Sequence, residues 1–252
     1  MKIFCFDNKT AAGKAAAASV AEVIKNKPDA LLGLATGSSP IETYRALIGM
    51  CRNGEISFAS VRTVNLDEYR GLAADHEQSY ARFMRENLFD SVDINLENTN
   101  IPNGLATDPE AECRRYNELL EALGGPDVQL LGIGHNGHIG FNEPCESYPC
   151  GTNLVKLTAS TVAANSRFFA SEDEVPKEAL SMGIDQIMKS GKIILLANGA
   201  DKAQIVERAL FGDVTPAVPA SALRLARDVE VYLDAAAAAE ILAKHKECVT
   251  VC

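Results

Sequence analysis

Apolar residues along the chain fall into two alternating patterns. Short unbroken runs at residues 30–35 (ALLGLA), 61–66 (VRTVNL), 128–133 (VQLLGI), 192–197 (KIILLA) and 229–233 (VEVYL) have the length and branching of buried strands. Two shorter strands are expected at residues 3–6 and 154–157. Between them lie amphipathic or alanine-rich stretches that predict helices at residues 10–26, 41–52, 77–89, 108–123, 177–189 and 234–244, with a helical turn near 220–226. Thr10 is a candidate cap for the first helix and Pro28 closes it; Pro109 after Asp108 starts the fourth. Short strands alternating with helices predict an α/β fold, a single-domain doubly wound, mainly parallel sheet with helices on both faces, over residues 1–252.

The pattern breaks most sharply at residues 130–144, LLGIGHNGHIGFNEP, where an apolar run gives way to glycines, histidines, asparagines and a glutamate. Gly132, Gly134 and Gly137 fit G-x-G-x-x-G, but a dinucleotide turn needs a helix directly after the glycines. Pro144 and Pro149 interrupt the following stretch, and His138, Asn142 and Glu143 belong to no helical face. The segment reads as a loop at the carboxyl end of a strand, where ligands bind in open α/β sheets.

Other strand ends carry candidate chemistry. Thr36-Gly37-Ser38-Ser39-Pro40 joins a strand to a helix N-terminus, an arrangement that cradles anions. Ser39, Pro40 and Glu42 also fit a capping box, which leaves Thr36, Gly37 and Ser38 without a structural task. Asp67 and Glu68 follow the next strand; alternation allows at most one of them to face a shared cleft, and a solvated acidic loop is the competing reading. Arg167, beside Phe168 and Phe169, suits a phosphate or an acid partner. Lys202 stands at a second strand-to-helix junction, within reach of an anion or simply exposed.

Composition narrows the partners. The net charge is −10 and lysines and arginines are dispersed, which argues against nucleic acid. No apolar run approaches the roughly 18 residues of a membrane span, and the start, MKIFCFDNKT, lacks a signal-peptide core. Seven scattered cysteines fit a reducing cytoplasm better than a disulfide framework. His135, His138, Cys145 and Cys150 match no usual zinc spacing, so no metal is expected.

Taken together, LATGSSP (34–40), NLDEY (65–69), GIGHNGHIGFNEP (132–144), NSRFF (165–169) and GADKA around Lys202 resemble the glucosamine-6-phosphate deaminase family over nearly the whole chain. The resemblance implies cofactor-free conversion of a phosphosugar, glucosamine 6-phosphate, with water into fructose 6-phosphate and ammonia. By that pattern Asp67 matches the base at C2, His138 the ring-opening group and Glu143 the carboxylate that orients it. Thr36, Gly37 and Ser38, with Arg167 and Lys202, match positions that hold the phosphate and sugar. Galactosamine-6-phosphate deamination, 6-phosphogluconolactonase activity and a non-catalytic sugar-phosphate sensor are the alternatives; a sensor would carry an appended DNA-binding region, and this acidic chain is expected to have none.

Two departures from the best-known regulated branch matter. Asn136 stands where that branch has an aspartate, and it hydrogen-bonds without carrying charge. Asn153 and Val155 stand where it has an arginine and a lysine, removing the anchor of an allosteric phosphosugar. A monomer or small homo-oligomer is therefore expected rather than a hexamer. N-acetylglucosamine 6-phosphate is expected to give little activation; strong activation in a rate assay would contradict this.

Overall fold

In the computed structural model the runs LLGL, VQLL, KIILLA and VEVYLD lie side by side, buried except at their ends, which is why they read as unbroken rather than alternating. The structure describes residues 1–252, leaving aside the side chains of Ala164 and Glu172. The strands are β1 (Lys2–Phe6), β2 (Leu31–Leu34), β3 (Arg62–Asn65), β4 (Asp67–Tyr69), β5 (Thr99–Asn100), β6 (Val128–Leu131), β7 (Asn153–Lys156), β8 (Glu178–Ser181), β9 (Lys192–Ala197), β10 (Val229–Asp234) and β11 (Val249–Val251). The helices are α1 (Lys9–Asn26), α2 (Ile41–Arg52), α3 (Tyr80–Asn87), α4 (Pro109–Leu123), α5 (Ala159–Asn165), α6 (Ile184–Met188), α7 (Ala203–Phe211) and α8 (Ala239–Lys244).

Eight strands form one sheet in the order β11-β1-β10-β9-β6-β2-β3-β5, with every neighbouring pair parallel. Helix α1 packs on α2 and α7 on α8, and since right-handed crossovers that run in opposite directions along the sheet cover opposite faces, the two pairs give the expected doubly wound arrangement. The connection from β2 leaves over one face and that from β9 over the other, and β6 stands between them. The loop after β6 therefore opens into the crevice at the point where the winding reverses.

A second, antiparallel sheet of order β4-β8-β7 meets the first at one residue. The Leu66 N–H donates to the Leu34 carbonyl of the large sheet, and the Leu66 carbonyl accepts from the Met182 N–H beside the small one. Asp67, next in the chain, opens β4 opposite Ser181.

Several elements differ from the sequence reading. Asn8, not Thr10, caps α1: its side chain accepts from the N–H groups of Thr10 and Ala11. Ser39 makes no capping bond to α2 and lies against Gly132 instead, so the capping box does not form. Residues 177–189 are a strand and a short helix, because pairing with β4 and β7 overrides local helical propensity. Gly183 marks the break, at a close approach where a Cβ would stand 2.5 Å from the Gly151 carbonyl oxygen. Helix α3 starts at Tyr80, capped by Ser79. Helix α8 starts only at Ala239, since Asp234 holds a turn by accepting from the Ala237 N–H at 2.8 Å. The cysteine-flanked C-terminal segment is an edge strand, β11, parallel to β1.

Tyr44 ties α2 to the end of β2. Its hydroxyl, fully buried, donates to the Ala35 carbonyl at 2.6 Å, immediately before the Thr36 loop. Tyr44→Phe leaves that carbonyl without a partner and is expected to cost about 1–2 kcal/mol, read from urea denaturation.

Candidate active site

A cleft of about 670 Å³ opens at the carboxyl ends of β2, β3, β6, β9 and β10. Thr36, Gly37 and Ser38 line it from the loop after β2, Asp67 from the start of β4, and Asn136 and His138 from the loop after β6. Arg167 lines it from the 3-10 turn Ser166–Phe168, and Lys202 from the turn Ala200–Lys202 that leads into α7. Glu143 stands behind His138 rather than on the cleft surface, and it is nearly as buried as Asp67. Residues from five separate chain segments thus meet in one place.

Asp67 and Glu68 divide as strand alternation requires, but neither is solvated: they are 6% and 2% exposed. Asp67 lines the cleft, and burial, with a smaller push from the charge of Glu68, raises its pKa to about 8. Glu68 points away and accepts from the N–H groups of Tyr69, Tyr80 and Ala81 at 2.8, 3.0 and 2.9 Å. Burial raises its pKa to about 7 against the pull of those donors.

The loop after β6 is built to hold one imidazole. The Gly134 N–H donates to the His138 carbonyl and the Gly137 N–H to the Gly134 carbonyl, closing a tight turn, while Gly137 takes a φ of 88° that disfavours any side chain. The His138 ring lies over Gly134, where a Cβ would stand 2.2 Å from its Cε1. Its Nδ1 is 3.5 Å from Glu143 Oε2.

Glu143 is itself clamped. Oε2 accepts from the Asn136 amide at 2.6 Å, and Oε1 accepts from the hydroxyls of Thr158, at 3.2 Å, and Thr161. Burial pushes its pKa up, but His138, Thr161 and Asn136 outweigh that and bring it down to about 2. Asn136 also accepts from the His138 backbone N–H at 3.2 Å, so it braces the histidine and its carboxylate at once.

Two cations, Arg167 and Lys202, lie close enough in the cleft to repel one another. Burial lowers the pKa of Lys202; neighbouring Asp201 pulls it up and Arg167 pushes it down. Arg167 stacks on Phe168, 4.7 Å from the ring centre, and forms no ion pair among the described residues. An anion between them would relieve the repulsion.

The structure adds residues to which the sequence reading gave no place in the site. Lys9 lines the cleft from the first turn of α1, and Tyr80 from the first residue of α3, stacked on Phe141 with ring centres 6.0 Å apart. His135 pairs with Asp201 at 2.6 Å, joining the loops after β6 and β9 at the cleft's edge. A correct assignment of Asn8 as the cap would have put Lys9 at the carboxyl end of β1. Nothing local marks Tyr80. No group of histidines, cysteines and carboxylates fit for a metal occurs among the described residues.

Residues 7–232 match the family of glucosamine-6-phosphate isomerases and 6-phosphogluconolactonases. The chain belongs to that family. Within it, a protein of Thermoanaerobacter sp. (strain X514) named glucosamine-6-phosphate deaminase is 50% identical over 241 residues, covering 96% of this chain and 95% of its own. A deaminase of Lachnoclostridium phytofermentans is 55% identical over 218 residues, 86% of this chain and 92% of its own. A solved monomeric glucosamine-6-phosphate deaminase superposes with a TM-score of 0.93 at 48% identity, covering 95% of this chain and all of its own. The 6-phosphogluconolactonase of Trypanosoma brucei shares the fold, with a TM-score of 0.74 at 20% identity over 95% of this chain and 98% of its own.

Family membership does not explain why the imidazole sits where it does; the missing Cβ of Gly134 does. Gly134→Ala is expected to displace the ring and reduce kcat by about 100-fold or more while the protein still folds, read from turnover beside a thermal melt.

Proposed function

We propose that this protein is a glucosamine-6-phosphate deaminase, converting glucosamine 6-phosphate and water into fructose 6-phosphate and ammonia, with one domain over residues 1–252 carrying the whole site. The observation that carries the reading is the cleft itself: a buried carboxylate with a high proton affinity and a clamped histidine share it with a lysine and an arginine that forms no ion pair among the described residues. Near-50% identity to proteins named for this activity supports the same reaction.

Each group has a task in that chemistry. The phosphate fits between Arg167 and Lys202, against the small residues Thr36, Gly37 and Ser38, and its position fixes the far end of the sugar. His138 moves a proton between the ring oxygen and the anomeric hydroxyl, opening the pyranose. Glu143, anionic throughout the working range, fixes the ring through Nδ1, with Asn136 bracing both. Ionised Asp67 then takes the proton from C2 as O1 gains one, giving an enolamine; a proton returned to C1 and one lost from the nitrogen leave an imine at C2. Water adds there and releases ammonia, which yields the ketose.

Burial that raises the Asp67 carboxyl makes its ionised form a stronger base toward a carbon acid. The compartment we assign is the cytoplasm. No helix of the described residues is long and apolar enough to cross a membrane. We assign a monomer, as in the solved relative named as monomeric. The motifs do not themselves separate the C4 epimers; glucosamine is chosen because the relatives carry that name.

Coupled assays of ammonia and fructose 6-phosphate on glucosamine and galactosamine 6-phosphates test this reading. Activity on the former, lost in Asp67→Asn, is the expected outcome; hydrolysis of 6-phosphogluconolactone without ammonia release would favour the lactonase. The same variant has a stability signature. A carboxyl raised from 3.8 to about 8 adds no penalty to the native state below pH 4, a growing one as pH rises, and the full one above pH 8. Asp67→Asn is therefore expected to be more stable than the parent at pH 8, by about 1–3 kcal/mol, and equal to it at pH 4.

A further inference from the structure

We propose that Glu68 is a positioning residue for this reaction: anchored on backbone amides at the start of α3, it holds Asp67 and Tyr80 to the same cleft and sets a negative charge behind Asp67. The inference rests on the reading of Asp67 as the base.

The anchor has two halves. Helix α3 begins with three N–H groups that have no partner within the helix, at Tyr80, Ala81 and Arg82. The Ser79 hydroxyl accepts from Arg82, which leaves Tyr80 and Ala81 to Glu68. Glu68 is thus a cap supplied from 12 residues away, with its own strand tied in through the Tyr69 N–H. A side chain 2% exposed with both oxygens engaged has one usable orientation, so strand β4 and the first turn of α3 are locked together.

Both ends of the lock carry a cleft residue. Asp67 precedes Glu68 on β4, and Tyr80 is the first residue of α3. Tyr69 completes the arrangement, its ring 4.8 Å from that of Tyr80 and 5.5 Å from that of Phe141. Gly140, in the same loop as His138, passes so close that a Cβ would stand 3.5 Å from Asp67 Oδ2. The amides that fix Glu68 therefore also fix the distance of the base from the loop that carries the histidine.

The charge follows from the same contacts. The groups that face Asp67 are Glu68 and Tyr69 on β4, Tyr80 on α3 and Tyr116 on α4, and burial holds the three phenols neutral across the working range. Glu68 is then the titrating neighbour. Three N–H donors and the N-terminal end of a helix favour its charged form, and that charge adds to burial in raising the proton affinity of Asp67.

The test compares the parent with Glu68→Gln, Glu68→Asp and Asp67→Asn. In Glu68→Gln the acid limb of kcat/KM is expected to move to lower pH by at least about half a unit, with kcat reduced. In Glu68→Asp, which keeps the charge on a shorter arm, the limb is expected to stay while kcat falls. An unmoved or raised limb in the glutamine variant would overturn the charge role; unchanged kcat in both would overturn the positioning role. Should the Glu68 variants fail to fold, difference infrared of the protonated carboxyl band in the parent and in Asp67→Asn decides. Two carboxyls deprotonating above pH 6 support the pair, and none above pH 6 overturns it. A single one that persists in Asp67→Asn also overturns it. Failure of the base assignment is separable, since Asp67→Asn would then keep its activity whatever Glu68 does.

Discussion

The structure depends on a single residue that serves two sheets. Leu66 gives its N–H to the large parallel sheet and its carbonyl to the segment that follows β8. The chain passes there from parallel to antiparallel pairing without a loop between. Asp67 is consequently placed by backbone hydrogen bonds on both sides, not by a flexible connection. Its burial, and hence its proton affinity, follows from where that seam lies.

Two carboxylates in this site have opposite fates for one physical reason. Asp67 has burial without compensating donors, so its proton is held to about pH 8; Glu143 has burial with an imidazole, two hydroxyls and an amide, so it stays ionised down to about pH 2. Residue type is nearly the same in both. The number of donors aimed at each carboxylate divides one that holds its proton from one that stays charged. Asn136 is a donor to one of these groups and an acceptor from its partner, a double task that an amide can perform and a carboxylate cannot.

Most of the sheet was legible in the sequence because strands buried on both faces leave no ambiguity about where the apolar runs go. The residues 177–189 were not, because β8 is a strand only by virtue of its partners on either side. Ser39 looked like a cap by local spacing and is not one, since helix α2 begins a residue later than that spacing implies. The candidate site was legible as motifs at strand ends, and the cleft gathers them. Glu68 was beyond reach: the amides that give it a purpose lie across the fold, at Tyr80 and Ala81, and no periodicity connects them.

The segment that runs from Thr158 to Phe168 has one further consequence. Its first residues hold Glu143 through hydroxyls, and its last turn carries Arg167 into the cleft. A single helix, α5, joins them, so the hydroxyls that hold the carboxylate beside the histidine and the guanidinium that lines the cleft belong to one short stretch of chain. The imidazole's support and the cleft's guanidinium are thus placed by one seven-residue helix.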